Sequence, residues 1–270
     1  MQSFNEIARN KKDGEKSIIM VHNNKEVLEY WNKPEVESMY DKYLINAEID
    51  LICSKITEGS KILDAGCGEG EGALVYSQIK NTIVHAADFS ETRLLKAKER
   101  LSHLSNIKLF QIDFLSDYKI DDDYDFIVSQ RFLINLMEWE LQKKVILDLT
   151  KHLKKGGKLL MLEGSEDGVK ELNDFRFMFG LEPIEIKWHN LFFQNDLLKS
   201  FLKENDLKII EEDGFGEYFL LTRGIRPYFE KHLNWESDFN RISSKTNLRD
   251  CLNLRAKFSR LVLWVIERGS

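Results

Sequence analysis

The sequence is poor in both cysteine and proline, with three of each in 270 residues. Cys53, Cys67 and Cys251 are an odd, widely spaced set without a C-x-x-C pair. They argue against a disulfide framework or a cysteine-based zinc site and read as a reduced, cytoplasmic complement. Scarce proline beside fifteen glycines excludes collagen-like and proline-rich low-complexity chains. No apolar run approaches the roughly 20 residues that span a bilayer, so no membrane association is expected. The opening stretch MQSFNEIARNKKDGEK also lacks the apolar centre of a signal peptide. Positive charge is not in excess either: 39 Lys+Arg against 45 Asp+Glu leave a net charge of −6, which disfavours nucleic acid as a partner. No internal repeat is visible. What is present is 43% hydrophobic residues, enough for a real core, in a length that suits one large domain or two small ones.

Apolar residues recur at helical spacing from Val36 to Ile56, through Met39, Tyr40, Tyr43, Leu44, Ala47, Leu51 and Ile52. From residue 61 to 163 the texture changes to short β-like runs: KILDA (61–65), TIVHAA (82–87), IKLFQI (107–112), YDFIVS (124–129) and KLLMLE (158–163). Helical stretches at 71–80, 91–103 and 138–154 separate them, the last closed by Gly156-Gly157. Alternation of this kind predicts right-handed βαβ crossovers and an α/β fold with a parallel sheet. A helix is expected at 195–205, a strand at 207–212 and a last strand at 259–267. Residues 164–194 and 213–257 do not follow the rhythm and are expected to be pocket-forming insertions.

The strongest local signal is Ile62-Leu63-Asp64-Ala65-Gly66-Cys67-Gly68-Glu69-Gly70, a strand running into alternate glycines and then a helix. Glycine permits positive φ and lets a ligand lie on the main chain, while the following helix offers free N–H groups. The dinucleotide pattern G-x-G-x-x-G counted from Gly66 fails, because position 71 is Glu. Only a frame shifted to Gly68, Gly70 and Ala73 matches, which leaves a nicotinamide-dinucleotide enzyme as a minor alternative. Asp64 and Glu69 would repel a pyrophosphate but suit a ligand with a cationic centre.

The run ILDAGCGEG resembles the first motif of the class I S-adenosylmethionine-dependent methyltransferases, in particular small-molecule and glycan-modifying bacterial members. Further elements match in order. Asp88 ends the second strand, 22 residues beyond Gly66, where the family has an acid for the ribose hydroxyls. Asp113, beside Phe114, follows the third strand where the family contacts adenine. LKKGGKLLMLE (153–163) resembles the family's turn into its fifth strand, with Lys155 in place of the usual proline. The resemblance implies a Rossmann-like, seven-stranded, mostly parallel sheet with helices on both faces. An N-terminal helical cap would occupy 1–58 and the methyltransferase domain 59–270. It implies S-adenosylmethionine as cofactor, held by Asp64, Gly66, Cys67, Gly68, Asp88, Phe89, Asp113, Phe114 and Gln130, with Tyr40 in the N-terminal cover.

A hydroxyl acceptor needs a base, whereas a carboxylate or phosphate does not. His189, set in KWHNLFF, is the first candidate base because its ordinary pKa lies near neutrality; Glu163, at the end of the fifth strand, is the second. Arg131 and Asn135 follow the fourth strand, where ligands of parallel sheets bind, and are expected to face the transferring methyl and the acceptor. Arg223 and Arg226 bring two guanidinium forks into the second insertion. The expected reaction is O-methylation of a sugar, sugar phosphate or nucleotide sugar by a monomer or homodimer without metal. An N-methyltransferase acting on a small amine and a non-catalytic methyltransferase-like subunit stay open beside it.

Overall fold

A computed structural model describes residues 25–36, 40–120, 123–230, 234–245 and 252–269. Residues 1–24 and 37–39 of the expected cap, and 231–233 and 246–251 of the expected second insertion, lie outside the described residues. Seven strands form one sheet: β1 (Lys61–Ala65), β2 (Ile83–Asp88), β3 (Ile107–Gln111), β4 (Tyr124–Gln130), β5 (Leu153–Gly164), β6 (Leu207–Gly214) and β7 (Leu261–Arg268). Their order is β3-β2-β1-β4-β5-β7-β6. The first five run parallel, and β7 lies antiparallel between β5 and β6. This is the α/β, Rossmann-like arrangement expected.

The central strands are apolar at nearly every position because both sheet faces are covered. Leu63, Ile127, Leu159, Met161 and Trp264 enter one core layer. Their neighbours Ile62, Val128, Leu160, Leu162 and Leu263 enter the other. Burying side chains of this size contributes roughly 1.5–3 kcal/mol each, so the sheet carries most of the stabilisation.

The helices are α1 (Lys42–Cys53), α2 (Glu71–Tyr76), α3 (Glu91–Leu101), α4 (Trp139–Lys151), α5 (Glu166–Met178), α6 (Asn195–Glu204), α7 (Gly216–Phe219) and α8 (Asp238–Ser243). Residues 25–31 are also helical. Asp41, Ser90, Ser165 and Ser237 cap α1, α3, α5 and α8 by accepting bonds from free N–H groups of the first turn. Behind α7 the chain continues through a π-helical turn, Leu220–Ile225, and a 3₁₀ turn, Arg226–Tyr228.

Several expected elements differ; the helix expected at 71–80, for one, ends at Tyr76. Helix α4 stops at Lys151, before Gly156-Gly157, and the chain passes into β5 from Leu153. The glycines instead serve a bulge. The register jumps from Tyr124↔Leu153 to Phe126↔Lys158, and a Cβ on Gly157 would meet the Tyr124 carbonyl at 2.8 Å. Residues 166–178 of the first expected insertion form α5, so the helical rhythm continues there. Its Gly168 is required because the chain entering β7 passes so close that a Cβ would overlap the Ser259 carbonyl. The last strand begins at Leu261, two residues later than expected.

Candidate active site

Strand β1 delivers the chain into the glycine loop at the carboxyl edge of the sheet. Gly66 and Gly68 have φ of +73° and +56°, values that L side chains rarely adopt. A Cβ on Gly66 would lie 2.5 Å from Phe132, so the loop is packed tightly under that ring. Gly68 has no atom within 4 Å on its Cβ side, which leaves main chain open to a ligand. The N–H groups of Gly66 and Cys67 both donate to the Ala87 carbonyl, at 2.8 and 3.0 Å, locking the loop to β2.

Asp88 completes this end. Its Oδ2 accepts from the Gly68 N–H at 2.8 Å and its Oδ1 from the Ser90 N–H at 2.9 Å. Burial nevertheless pushes its pKa up. Asp64 is also buried, and desolvation followed by the charges of Asp88 and Glu71 raises it to about 7. Among the described residues no cationic side chain pairs with Asp64.

The segment 31–36 is fastened over the loop by one arginine. Arg93, on α3, donates to the carbonyls of Trp31 (3.2 Å) and Val36 (3.1 Å) and to Glu69 (3.3 Å). Its guanidinium lies 4.7 Å from the Trp31 ring centre. Lys96 meets the same Glu69 carboxylate at 2.9 Å. Arg93 carried no signal as a site residue in the sequence, since its partners lie 24 to 62 residues upstream.

A cavity of about 350 Å³ runs from the glycine loop, past Phe132, to a cluster of arginines and aromatics. Arg131, immediately after β4 with φ of +54°, pairs with Glu48 of α1 through both carboxylate oxygens. Gln130 donates to the same carboxylate at 2.9 Å. Asp41 accepts from the Tyr218 hydroxyl at 2.8 Å and from Arg223 Nη2 at 2.7 Å, and Arg223 stacks on Trp235 at 4.4 Å. His189 stacks on Tyr30 with ring centres 4.6 Å apart and meets Trp31 edge-on. Burial, with Lys187 nearby, lowers the His189 pKa to about 4, and its Nδ1 has no partner among the described residues.

A family model for a methyltransferase domain matches residues 62–157, the stretch that holds the loop, Asp88, Asp113 and Arg131. The demethylmenaquinone methyltransferase of Staphylococcus carnosus is 29% identical over 114 residues, 42% of this chain and 46% of that protein. Residues 62–157 are thus similar to a methyltransferase domain. The match to the staphylococcal enzyme spans about half the length of that relative. Among solved structures, the N-methyltransferase NodS of Bradyrhizobium japonicum, bound to S-adenosylhomocysteine, superposes with a TM-score of 0.51 at 17% identity, covering 70% of this chain and 89% of that one. The [4+2]-cyclase SpnF gives 0.57 at 14% identity, covering 93% and 96%. A cyclase on the same fold is a reminder that the reaction must be argued from the site.

The cofactor of this methyltransferase domain is S-adenosylmethionine, and the residues present suit it. Open main chain at Gly68 offers close approach, and the Asp88 carboxylate lies at the edge where a vicinal diol would be received. Asp64 supplies a buried carboxyl group that no cationic side chain among the described residues pairs with and that a cationic ligand would hold ionised. Gly66, Cys67, Phe89, Asp113, Phe114 and Gln130 all line the same cavity, with the exposed Tyr40 at its mouth. Asp113 also accepts from the Leu115 N–H at 2.9 Å, shaping the turn after β3.

The expected acceptor residues divide. Arg131, Asn135, His189 and Arg223 line the cavity. Asn135 is held from both sides, accepting from Trp31 Nε1 at 3.0 Å and donating to the Arg131 carbonyl at 2.7 Å. Glu163 does not reach the cavity. Its carboxylate is consumed by the turn after β4, accepting from Ser129 Oγ (2.6 Å) and from the N–H groups of Phe132 (3.1 Å), Leu133 (2.9 Å) and Ile134 (3.2 Å). Arg226 points away as well, fully buried against Glu230 (2.7 Å), Asn240 (2.6 Å) and the Asn234 carbonyl (2.8 Å). Neither residue is placed to touch an acceptor.

Proposed function

We propose that this protein transfers a methyl group from S-adenosylmethionine to a small anionic acceptor with an apolar or aromatic body. One observation carries this reading: the cavity is continuous from the glycine loop and Asp88 to a far end walled by Arg131, Arg223, Trp31, Trp235 and Phe192. Bound cofactor supplies an electrophilic methyl on a sulfonium, and the chain supplies alignment, exclusion of water and recognition of the acceptor. Asp64, Asp88 and the glycine loop hold the cofactor end. Tyr30, Trp31 and His189 form an aromatic wall that keeps water from the acceptor end.

The proton balance favours an ionised acceptor. Glu163 is saturated by four donors, and His189, pushed to about 4, is a poor base. Full transfer of a proton from a hydroxyl with a water-like pKa to such an imidazole is uphill by roughly 16 kcal/mol. An acceptor that arrives as an anion needs no such step. His189 therefore acts as a neutral packing wall, and the unionised hydroxyl of a simple sugar is a poorer fit than an acidic small molecule. The lining, rich in aromatic and aliphatic side chains, supports the same choice. A small amine is not favoured, because Asp41 and Glu48 are both engaged by arginines.

Calorimetry with S-adenosylmethionine and S-adenosylhomocysteine tests the cofactor end. Both are expected to bind, and Asp88→Ala to weaken binding at least about tenfold by removing a charged hydrogen-bond acceptor. Absence of binding by either nucleoside would overturn the proposal.

A further inference from the structure

We propose that Arg260, with the open side of Arg223, forms the anion subsite of the acceptor pocket and takes a single carboxylate carried on an apolar or aromatic body. This rests on the reading of the far end of the cavity as the acceptor site. Arg260 stands directly before β7, and because β7 is antiparallel, its first residue Leu261 pairs with Gly164 at the carboxyl end of β5. The topology therefore brings Arg260 to the same sheet edge as Arg131, although 129 residues separate them.

The charge pairing at this end is uneven. Arg131 is answered by Glu48, and Arg223 Nη2 by Asp41. Arg260 lines the cavity and makes no hydrogen bond or ion pair through its side chain among the described residues; its one contact of note is the Phe192 ring, 5.7 Å away. Arg223 Nη1 is buried without a hydrogen-bond partner among the described residues. Burial and the neighbouring charges of Arg131 and Arg223 lower the Arg260 pKa to about 10, against a weak opposing pull from Glu48, which is already occupied. Lys187 is the other cation at this rim, and it is exposed to solvent.

A guanidinium half-removed from water without an anion is costly, and nothing in folding requires it here. Apart from the exposed Lys187, three arginines at this end face two internal carboxylates among the described residues, which leaves one guanidinium in excess. That stoichiometry fits a monoanion better than a phosphate dianion. A planar carboxylate also matches the fork of donors that a guanidinium presents. Phe192, Phe219, Trp235 and Leu261 surround the site and suit an apolar body.

The test uses the full chain, Arg260→Met, which keeps bulk and removes charge, and Arg260→Lys. Calorimetric probes are 4-hydroxybenzoate, indole-3-acetate and octanoate, their primary amides, and phenyl phosphate. They are titrated into protein saturated with S-adenosylhomocysteine. At least one carboxylate is expected to bind the parent chain about tenfold or more tighter than its amide. Arg260→Met should bring it to the amide level and Arg260→Lys should retain part of the preference, with nucleoside affinity unchanged in both. Arg260→Met should also melt no lower than the parent without ligand, because it removes an uncompensated charge. No binding by any carboxylate, equal binding of amides, or undiminished binding by Arg260→Met would each overturn the inference, as would tighter binding of phenyl phosphate. Failure of the nucleoside to bind strikes the cofactor reading instead, and the carboxylate titration then judges Arg260 on the ligand-free chain.

Discussion

Replacing Glu163 by Gln isolates a buried carboxylate whose energetic effect changes sign of advantage with pH. Burial raises its pKa from 4.5 to about 7, despite bonds from Ser129, Leu133, Ile134 and Phe132. A carboxyl group with a folded pKa above its unfolded value stabilises the fold fully below the unfolded pKa, and the contribution is lost as pH rises through the folded value. Between pH 5 and 8 the linkage integral for this shift is about 2.5 kcal/mol. Glutamine does not titrate. It retains acceptor capacity toward Ser129, Phe132 and Leu133 but turns an N–H group toward that of Ile134, at a cost of about 1–2 kcal/mol. Urea unfolding followed by tryptophan fluorescence, on the ligand-free chain, is the assay. At pH 5 Glu163→Gln should be less stable than the parent, by about 1 kcal/mol. By pH 8 the difference should move in favour of the variant by about 2.5 kcal/mol. An offset that stays constant across that range would refute the argument, since it would mean that the carboxylate does not titrate within the folded protein's accessible window.

Three further perturbations address the cofactor end. Gly66→Ala sets a Cβ 2.5 Å from Phe132 at a φ of +73°, whereas Gly68→Ala meets nothing within 4 Å. Thermal melts should show a loss of about 2 kcal/mol or more for the first and about 1 for the second, while calorimetry shows that Gly68→Ala still weakens nucleoside binding by filling the open face. Arg93→Ala removes the three bonds that fasten residues 31–36 to the loop. Limited proteolysis should cut near Trp31 faster in the variant, and cofactor affinity should fall about tenfold as the cover must be ordered on binding. Asp64, raised to about 7, becomes ionised only as pH passes neutrality. Affinity for the cationic cofactor should therefore rise several-fold from about pH 6 to 8 in the parent and stay flat in Asp64→Asn, read by calorimetry at each pH.

The glycine loop, Asp88 and the strand order up to β5 were legible because each depends on short-range features: β-like runs, a left-handed backbone at glycine, an acid at a strand end. Asp88 and Glu163 show where that legibility stops. Both are acids near the carboxyl ends of strands, yet one edges the cavity and the other satisfies a turn, and only the neighbouring backbone distinguishes them. Arg223 and Arg226 are three residues apart and of one type, but the turn that follows α7 aims the first at Asp41 and buries the second against Asn240. Helix α5 was missed because residues 164–194 do not follow the strand–helix rhythm, so 166–178 read as part of an insertion.

By itself the sequence determined the α/β sheet and the ligand-ready loop, because dihedral freedom at glycine and the burial of apolar strands are properties of residues and their near neighbours, while the class of cofactor came from the resemblance of its motifs to a known family. The tertiary structure alone decided which charges are spent and which are free. Glu48 finds Arg131 across 83 positions and Asp41 finds Arg223 across 182, while the antiparallel entry of β7 carries Arg260 to the cavity without an ionic partner among the described residues. Charge compensation is a sum over groups near in space, and no local pattern in the chain reports it.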